Sequence, residues 1–294
     1  MQLQSVTKLI FAAHHSYLVS SPSKERGGVF LVSSQNNLKT TIVGSALTNV
    51  HGALCYSDLT LKQLAVIRSQ ISDGVIHTLG FSEFEKLYAR NPNVASNLEG
   101  VIKAMVAEGF GHFAFEDKRL SVPLARCFVV ASVLDTLYRL RGSAWLDNGF
   151  LRRFLCIKYS LSPRSKTMVM DAIHLGRRVE MPGSMVAPSS AVNYDVSARE
   201  SRQLQAILKD DYPTISLTLL QKCLCVLKWH HRAFHNRHGP TPMEILQDLS
   251  DGLGQNDWGI MEIDEVKLTK KRKKKPHAKT EIISAETEIK PAVQ

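Results

Sequence analysis

A lysine followed by two threonines, Lys39-Thr40-Thr41, is the group in this sequence best suited to bind a phosphorylated ligand. It follows the apolar run Val29–Val32 and a polar segment. A lysine ammonium neutralises phosphate charge, and a threonine hydroxyl ligates Mg²⁺. The phosphates would lie at a helix N-terminus, where the backbone dipoles favour anions. The spacing therefore predicts a phosphate-binding segment, with Thr40 on the metal, made of Ser33, Ser34, Gln35, Asn36, Asn37, Leu38, Lys39, Thr40 and Thr41.

Two acidic residues follow apolar runs and have the chemistry that phosphate hydrolysis requires. Glu83 comes directly after Thr78-Leu-Gly-Phe-Ser82, and Asp58 follows Ala53–Tyr56. An acid at the end of a buried strand can order Mg²⁺ or polarise the attacking water. For both residues the sequence leaves open a simpler role, a favourable charge in the first turn of the next helix.

The elements that must position these residues alternate along the first 160 residues. Apolar runs at 29–32, 53–56, 75–81 and 127–134 predict strands, and helical patterns separate them. This alternation predicts an α/β fold with a mostly parallel sheet. We predict four regions: an N-terminal helix and linker (1–26), the α/β core (27–160), a mainly helical region (161–263) and a disordered basic tail (264–294).

A third segment, Gly149-Phe-Leu-Arg-Arg-Phe154, lies near the end of the predicted core. With the two features above, it resembles P-loop NTPases of the AAA+ and RecA-like kind, carrying a degenerate Walker A motif. The chain is similar to ATPases of phage and mobile-element replication modules. The resemblance implies ATP and Mg²⁺ as cofactors, and it implies hydrolysis.

The resemblance also implies roles for individual residues. Lys39 would hold the phosphates, Glu83 would position the water, and Asp58 is a second candidate acid. Arg153, with Arg152 beside it, would reach the γ-phosphate in cis or across the interface of a homo-oligomer. The strand at 127–134 would offer Ser132 and Asp135 near the same phosphate.

The departure from the family pattern is the loss of both motif glycines, since Ser33 and Leu38 stand at their positions. Glycine lets the backbone wrap a phosphate without Cβ clashes. Asn36 and Asn37 tolerate left-handed conformations better than most residues do. Two alternatives therefore stay open: an inactive scaffold of the same fold, and a DNA-binding protein that acts through its tail and helical region.

Charge is concentrated at the C-terminus. The chain has a net charge of +10, and the stretch Lys267–Lys279 holds eight Lys and Arg and no acid, which leaves +2 for the remainder. A dense block of like charges stays solvated and binds nucleic-acid phosphates by releasing counterions. We predict DNA binding by the six consecutive basic residues Lys270, Lys271, Arg272, Lys273, Lys274 and Lys275. A solubilising tail is the alternative.

Other patterns bear on location and metal binding. No apolar run approaches the roughly 18 residues of a membrane span, and the five scattered cysteines form no disulfide framework. We expect a cytoplasmic protein without a membrane partner. Cys223, Cys225, His231 and His235 invite a zinc interpretation, but their spacing disfavours it. The basic and aromatic stretch Lys228–Arg237 suits either a partner contact or the end of a core helix.

Overall fold

The computed structural model describes residues 3–21, 23–48, 50–89, 91–112, 123–177, 179–181, 186–208, 216–234, 240–253, 261–263 and 267–268. The strands are β1 (Gly28–Ser33), β2 (Ala53–Tyr56), β3 (Thr78–Phe81), β4 (Phe128–Leu134), β5 (Phe154–Leu161), β6 (Val179–Glu180), β7 (Met261–Ile263) and β8 (Lys267–Leu268). The α-helices are α1 (Leu3–His14), α2 (Lys39–Leu47), α3 (Leu61–Ser72), α4 (Pro92–Val106), α5 (Asp135–Asp147), α6 (Pro163–His174), α7 (Ala198–Leu208), α8 (Leu217–Phe234) and α9 (Pro242–Leu253).

The main sheet is parallel and has the strand order β2-β3-β4-β1-β5-β7. The prediction of an α/β fold with a parallel sheet is therefore confirmed. All six residues of β1 are buried, as expected for a central parallel strand with helices on both faces. Strands β6 and β8 form a separate antiparallel pair.

Alternate residues of the strands point into two apolar layers, one on each face of the sheet. Val29 and Leu31 point into a layer shared with α1, α2 and α8. Phe30 and Val32 point into the opposite layer, which is shared with α3, α4 and α5. Helix α8 packs on α1, so the C-terminal helices cover the same face of the sheet as the N-terminal helix.

Local sequence signals set several helix starts. Thr60 and Gln63 form a reciprocal capping box at α3, in which each side chain accepts a backbone N–H bond from the other residue. Prolines begin α4 and α6, where a missing N–H costs nothing, and Asn91 and Ser162 cap the two helices. No described helix is both long enough and apolar enough to cross a membrane.

Several element predictions differ from the structure. Strand β5 was not predicted, and β3 begins at Thr78 rather than at Val75. The residues after Glu83 form a 3-10 helix, Phe84–Ala89, in place of an α-helix. The predicted tail begins at 264, yet Lys267 and Leu268 pair with β6 as strand β8. The basic run Lys270–Lys275 lies outside the described residues.

Candidate functional site

The segment after β1 lies at the carboxyl edge of the sheet, where the connections diverge. β1 and β4 are neighbours, yet the helix that follows β1 (α2) covers one face and the helix that follows β4 (α5) covers the other. Ligands of open parallel sheets bind in the crevice that such a divergence creates. The predicted phosphate-binding segment therefore stands at the position where the topology favours a ligand.

The loop between β1 and α2 contains two left-handed residues. Asn36 has φ 62° and Leu38 has φ 61°, and they are the only non-glycine residues with positive φ in the described chain. Leu38 occupies the position of the second motif glycine, and its backbone adopts a conformation that favours glycine. It is also the N-cap of α2 and offers no side-chain hydrogen bond to that helix. The first N–H groups of α2 therefore lack a side-chain cap.

Asn37 fastens this loop to β5. Its side-chain amide donates to the hydroxyls of Ser33 and Ser34, both at 2.7 Å, and its side-chain oxygen accepts from Leu161 N at 3.3 Å. The Tyr159 hydroxyl donates to the Asn37 carbonyl at 2.8 Å. The neighbouring strand thus fixes the loop conformation. The side chains of Gln35 and Asn36 remain exposed to solvent.

Lys39 lies across its own loop. Its Nζ donates to the Ser34 carbonyl at 2.8 Å, and the residue is only 8% exposed. Burial lowers the pKa of Lys39, and the nearby Glu85 carboxylate opposes that shift. The ammonium is thus partly desolvated and bonded to a neutral acceptor.

Hydroxyl groups from two elements meet at the backbone carbonyl of Ser82, just after β3. Thr40 Oγ1 donates to this carbonyl at 3.2 Å, and Ser132 Oγ of β4 donates to the same oxygen. The structure therefore brings together the predicted metal ligand Thr40, the end of β3 and the predicted polar group of β4. Thr41 is exposed on α2.

The two predicted acids, Glu83 and Asp58, lie beside the Ser82 carbonyl and around Lys86. The predicted catalytic residue Glu83 forms an ion pair with Lys86. Asp58 lies close enough for its charge to raise the pKa of Lys86, behind the larger effect of Glu83. Both acids are thus at the carboxyl edge of the sheet, as predicted.

Sequence reasoning missed Glu85, which lies two residues beyond the predicted acid. Its Oε2 is buried and has no hydrogen-bond partner within the described residues. Burial raises the pKa of Glu85, while the charge of Lys39 lowers it. The sequence contains one signal that could have indicated Glu85. In Glu83-Phe84-Glu85, the second acid directly follows a phenylalanine, and that phenylalanine is buried.

Arg153 lies far from the loop of its own chain. The prediction that it reaches the γ-phosphate in cis is therefore wrong. It precedes β5 at the amino edge of the sheet, because Gly28 pairs with Phe154. The length of β1 separates that edge from the loop by about 17 Å. Arg153 donates to the Gly149 carbonyl at 2.5 Å, so it closes a local turn. A role across a subunit interface stays a prediction.

The surroundings of Asp135 and of the cysteine and histidine residues are as follows. Asp135 lies at the end of β4, where it pairs with Arg139 at 2.7 Å and with Lys158 at 3.5 Å. In the described part of the chain, no group of three or more His, Cys, Asp or Glu side chains is arranged to hold a metal ion. Cys223 and Cys225 are buried in α8, and His235 lies outside the described residues.

Comparisons with known proteins add no assignment. No family model, no curated protein and no solved structure matches this chain. The interpretation of the site therefore depends on its own geometry.

The left-handed backbone at Leu38 makes a prediction about stability. We expect Leu38→Gly to be more stable than Leu38→Val by about 1–2 kcal/mol, because a β-branched residue is strained at positive φ. At an ordinary backbone position the order is reversed, since glycine costs about 0.5–1 kcal/mol in entropy. Urea unfolding of the two variants measures the difference, and greater stability of Leu38→Val would contradict the described loop conformation.

Proposed function

We propose that this protein binds ATP with Mg²⁺ at the segment from Ser33 to Thr41 and hydrolyses it. The observation that carries the proposal is Lys39 at the carboxyl edge of the sheet, whose partly desolvated ammonium has a neutral loop carbonyl as its hydrogen-bond partner among the described residues. A buried ammonium needs a compensating partner. An ammonium bonded to a carbonyl can exchange that contact for a phosphate oxygen.

The strand order supports the proposal. β4 is inserted between β1 and β3, so that an extra strand separates the strand before the loop from the strand that ends at Ser82. The additional-strand P-loop NTPases take their name from such an insertion. The order also differs from the dinucleotide-binding order 3-2-1-4-5-6 and from the flavodoxin-like order 2-1-3-4-5.

The residues present fit Mg²⁺ and a triphosphate. Mg²⁺ prefers hydroxyl, carboxylate and water oxygens, and Thr40 and Glu83 offer the first two at one edge of the sheet. An Mg²⁺ ion held there would neutralise negative charge on the phosphates. Lys39 and the uncapped N-terminus of α2 would hold the phosphates.

Glu85 is our candidate for the group that accepts a proton from the attacking water. A general base works best when its pKa lies near the operating pH, and burial shifts the pKa of Glu85 upward in that direction. Glu83, held by Lys86, would then orient water or metal. Asp58 is the more distant alternative.

We extend the proposal to DNA on the basis of charge. The basic run Lys270–Lys275 would supply a tethered electrostatic contact, while the remainder of the chain is close to neutral. The competing proposal is a nucleotide-binding scaffold without turnover, and it is favoured by the leucine at position 38, where the motif has glycine so that the backbone can wrap a phosphate without a Cβ clash. The nucleotide experiment below separates these outcomes without reference to the tail.

Replacing Lys39 by alanine is expected to weaken binding of Mg²⁺-ATP at least about 30-fold, because removing one member of a charged pair costs about 2 kcal/mol or more. Equilibrium binding of a labelled ATP to the full chain measures the change. Lys62→Ala on the exposed surface of α3 is the matched control and should bind as the wild type does.

The absence of saturable binding by the wild type, or equal affinity in Lys39→Ala, would overturn the nucleotide proposal. Binding without phosphate release would leave the scaffold as the function. Phosphate release that is lost in Glu85→Gln but retained in Asp58→Asn would support our assignment of the base.

A further inference from the structure

A second basic site lies away from the loop, in a pocket between α1, α8 and the start of α9. Its polar lining consists of Lys8 from α1 and His230 and His231 from α8. Leu227, Ile245 and two prolines at the start of α9 complete the wall. The enclosed space is only about 10 Å³, room for about one water molecule, and it opens to solvent, so a larger ligand would lie at its mouth. We call this the α1–α8 pocket.

Lys8 is a charged residue in an apolar part of α1. Its neighbours on α1, Leu9, Ile10 and Ala12, are completely buried, and Lys8 itself is only 8% exposed. No hydrogen bond or ion pair is found for its ammonium in the described part of the chain, although the side chain lines the pocket. Burial lowers the pKa of Lys8. The Nζ atom is not among the buried polar atoms that lack a partner in the described chain, so the ammonium reaches the open side of the pocket. There it can bond an anionic ligand without giving up a partner within the described residues.

The other polar groups of the pocket do not compensate this charge. Burial lowers the pKa of His230, and the charges of Lys8 and His231 lower it further. The first acid of α9, Glu244, is turned to the Thr241 backbone N–H at 2.5 Å. Among the described residues, the lining of the pocket therefore contains three basic groups and no carboxylate, a combination that favours a bound anion.

We propose that the α1–α8 pocket binds a small oxyanion, a phosphate group or a carboxylate, through Lys8 Nζ and the imidazoles of His230 and His231. The ammonium supplies a permanent charge in a partly apolar site, where charge-assisted hydrogen bonds are strong. Each imidazole carries an N–H group that can donate an additional bond to the anion. The site is separate from the loop around Lys39, so neither proposal depends on the other.

The test uses the full chain carrying Lys39→Ala, so that phosphate at the loop does not contribute. Inorganic phosphate is titrated while the imidazole NMR signals of His230 and His231 are followed, and acetate is titrated in parallel. We expect saturable shifts, with an affinity that falls at least tenfold in Lys8→Met. Lys62→Met, at an exposed lysine of α3, is the control and should leave the affinity unchanged. Saturation by phosphate alone identifies a phosphate site, and saturation by acetate as well identifies a general oxyanion site.

Lys8→Met preserves the apolar stem and removes the charge, and it should fold. If it does not fold, the ammonium serves the fold and the proposal is overturned. The proposal is also overturned if neither anion gives saturable shifts, or if Lys8→Met binds as tightly as its parent.

Discussion

Lowering the pH from 7.5 to 4.5 is expected to reduce the free energy of unfolding by about 2–3 kcal/mol for each of two buried histidines, His14 and His15. Burial is the main cause that lowers the pKa of His14 to about 2 and that of His15 to about 4. Typical domains are stable by only 5–15 kcal/mol, so acid should bring this protein close to unfolding.

The geometry explains why these imidazoles resist protonation. His14 shares a hydrogen bond with the Thr78 hydroxyl through Nδ1, and its Nε2 is buried without a partner in the described chain. His15 donates from Nδ1 to the Phe11 carbonyl at 3.1 Å. The two rings lie 4.3 Å apart, and the nearby charge of His77 opposes protonation of both.

The direction of the effect follows from proton uptake. The unfolded chain protonates both histidines below about pH 6.5, whereas the folded chain keeps them neutral to lower pH. The unfolded state therefore binds more protons, and stability is lost as the pH falls from 6.5 towards 4. Urea unfolding across this range measures the loss.

Asparagine at positions 14 and 15 places an amide near Nδ1 of each imidazole and does not titrate. The double variant His14→Asn/His15→Asn should lose much of the pH dependence. His174→Asn, at an exposed histidine of α6, should retain it. An equal pH dependence in the wild type and the double variant would contradict our account of the buried pair.

Replacing Glu99 by alanine is expected to destabilise the fold by about 3–5 kcal/mol, because it removes the shared acceptor of a buried network. Glu99 Oε1 accepts from the Tyr88 hydroxyl, from Trp145 Nε1 at 3.0 Å and from Arg141 at 3.3 Å. Alanine would leave these donors unpaired next to a new cavity.

The same network supports the aromatic layer beneath β1. The Trp145 ring lies 5.7 Å from Phe30 of β1 and 6.3 Å from Phe84, which follows Glu83 in the chain. Glu99→Gln keeps an acceptor oxygen and should lose less stability than Glu99→Ala. Glu108→Ala, at an exposed acid, should change the stability by less than about 0.5 kcal/mol. A loss of less than 1 kcal/mol in Glu99→Ala, measured by urea unfolding, would show that the network contributes little.

The sequence predicted the parts of the fold that local patterns encode. The runs predicted at 29–32 and 127–134 are almost wholly apolar, so β1 and β4 were predicted close to their observed positions. β5 was missed because Lys158 interrupts its apolar run, and Lys158 is buried there beside Asp135 at 3.5 Å. That compensation is a long-range contact, which no local pattern reveals.

The candidate site was also predicted only in part. The order strand, loop, Lys39 and helix was visible in the sequence, whereas the partners of the loop were not. The bond from Tyr159 to the Asn37 carbonyl joins residues on different strands. The distance of Arg153 from the loop depends on the pairing of β5 with β1, and the proximity of Glu85 to Lys39 depends on a 3-10 helix. These facts follow from tertiary packing, which overrides local propensity.

The position of β1 has a consequence for biosynthesis. This strand emerges early from the ribosome, but both of its hydrogen-bonding neighbours come much later, since Gly28 pairs with Val129 on one side and with Phe154 on the other. Until β5 has been synthesised, the fully buried strand β1 has an unpaired edge, which is a template for aggregation. Helix α8 must follow before α1 is covered. Folding of this sheet on the ribosome is therefore largely delayed until most of the chain has emerged.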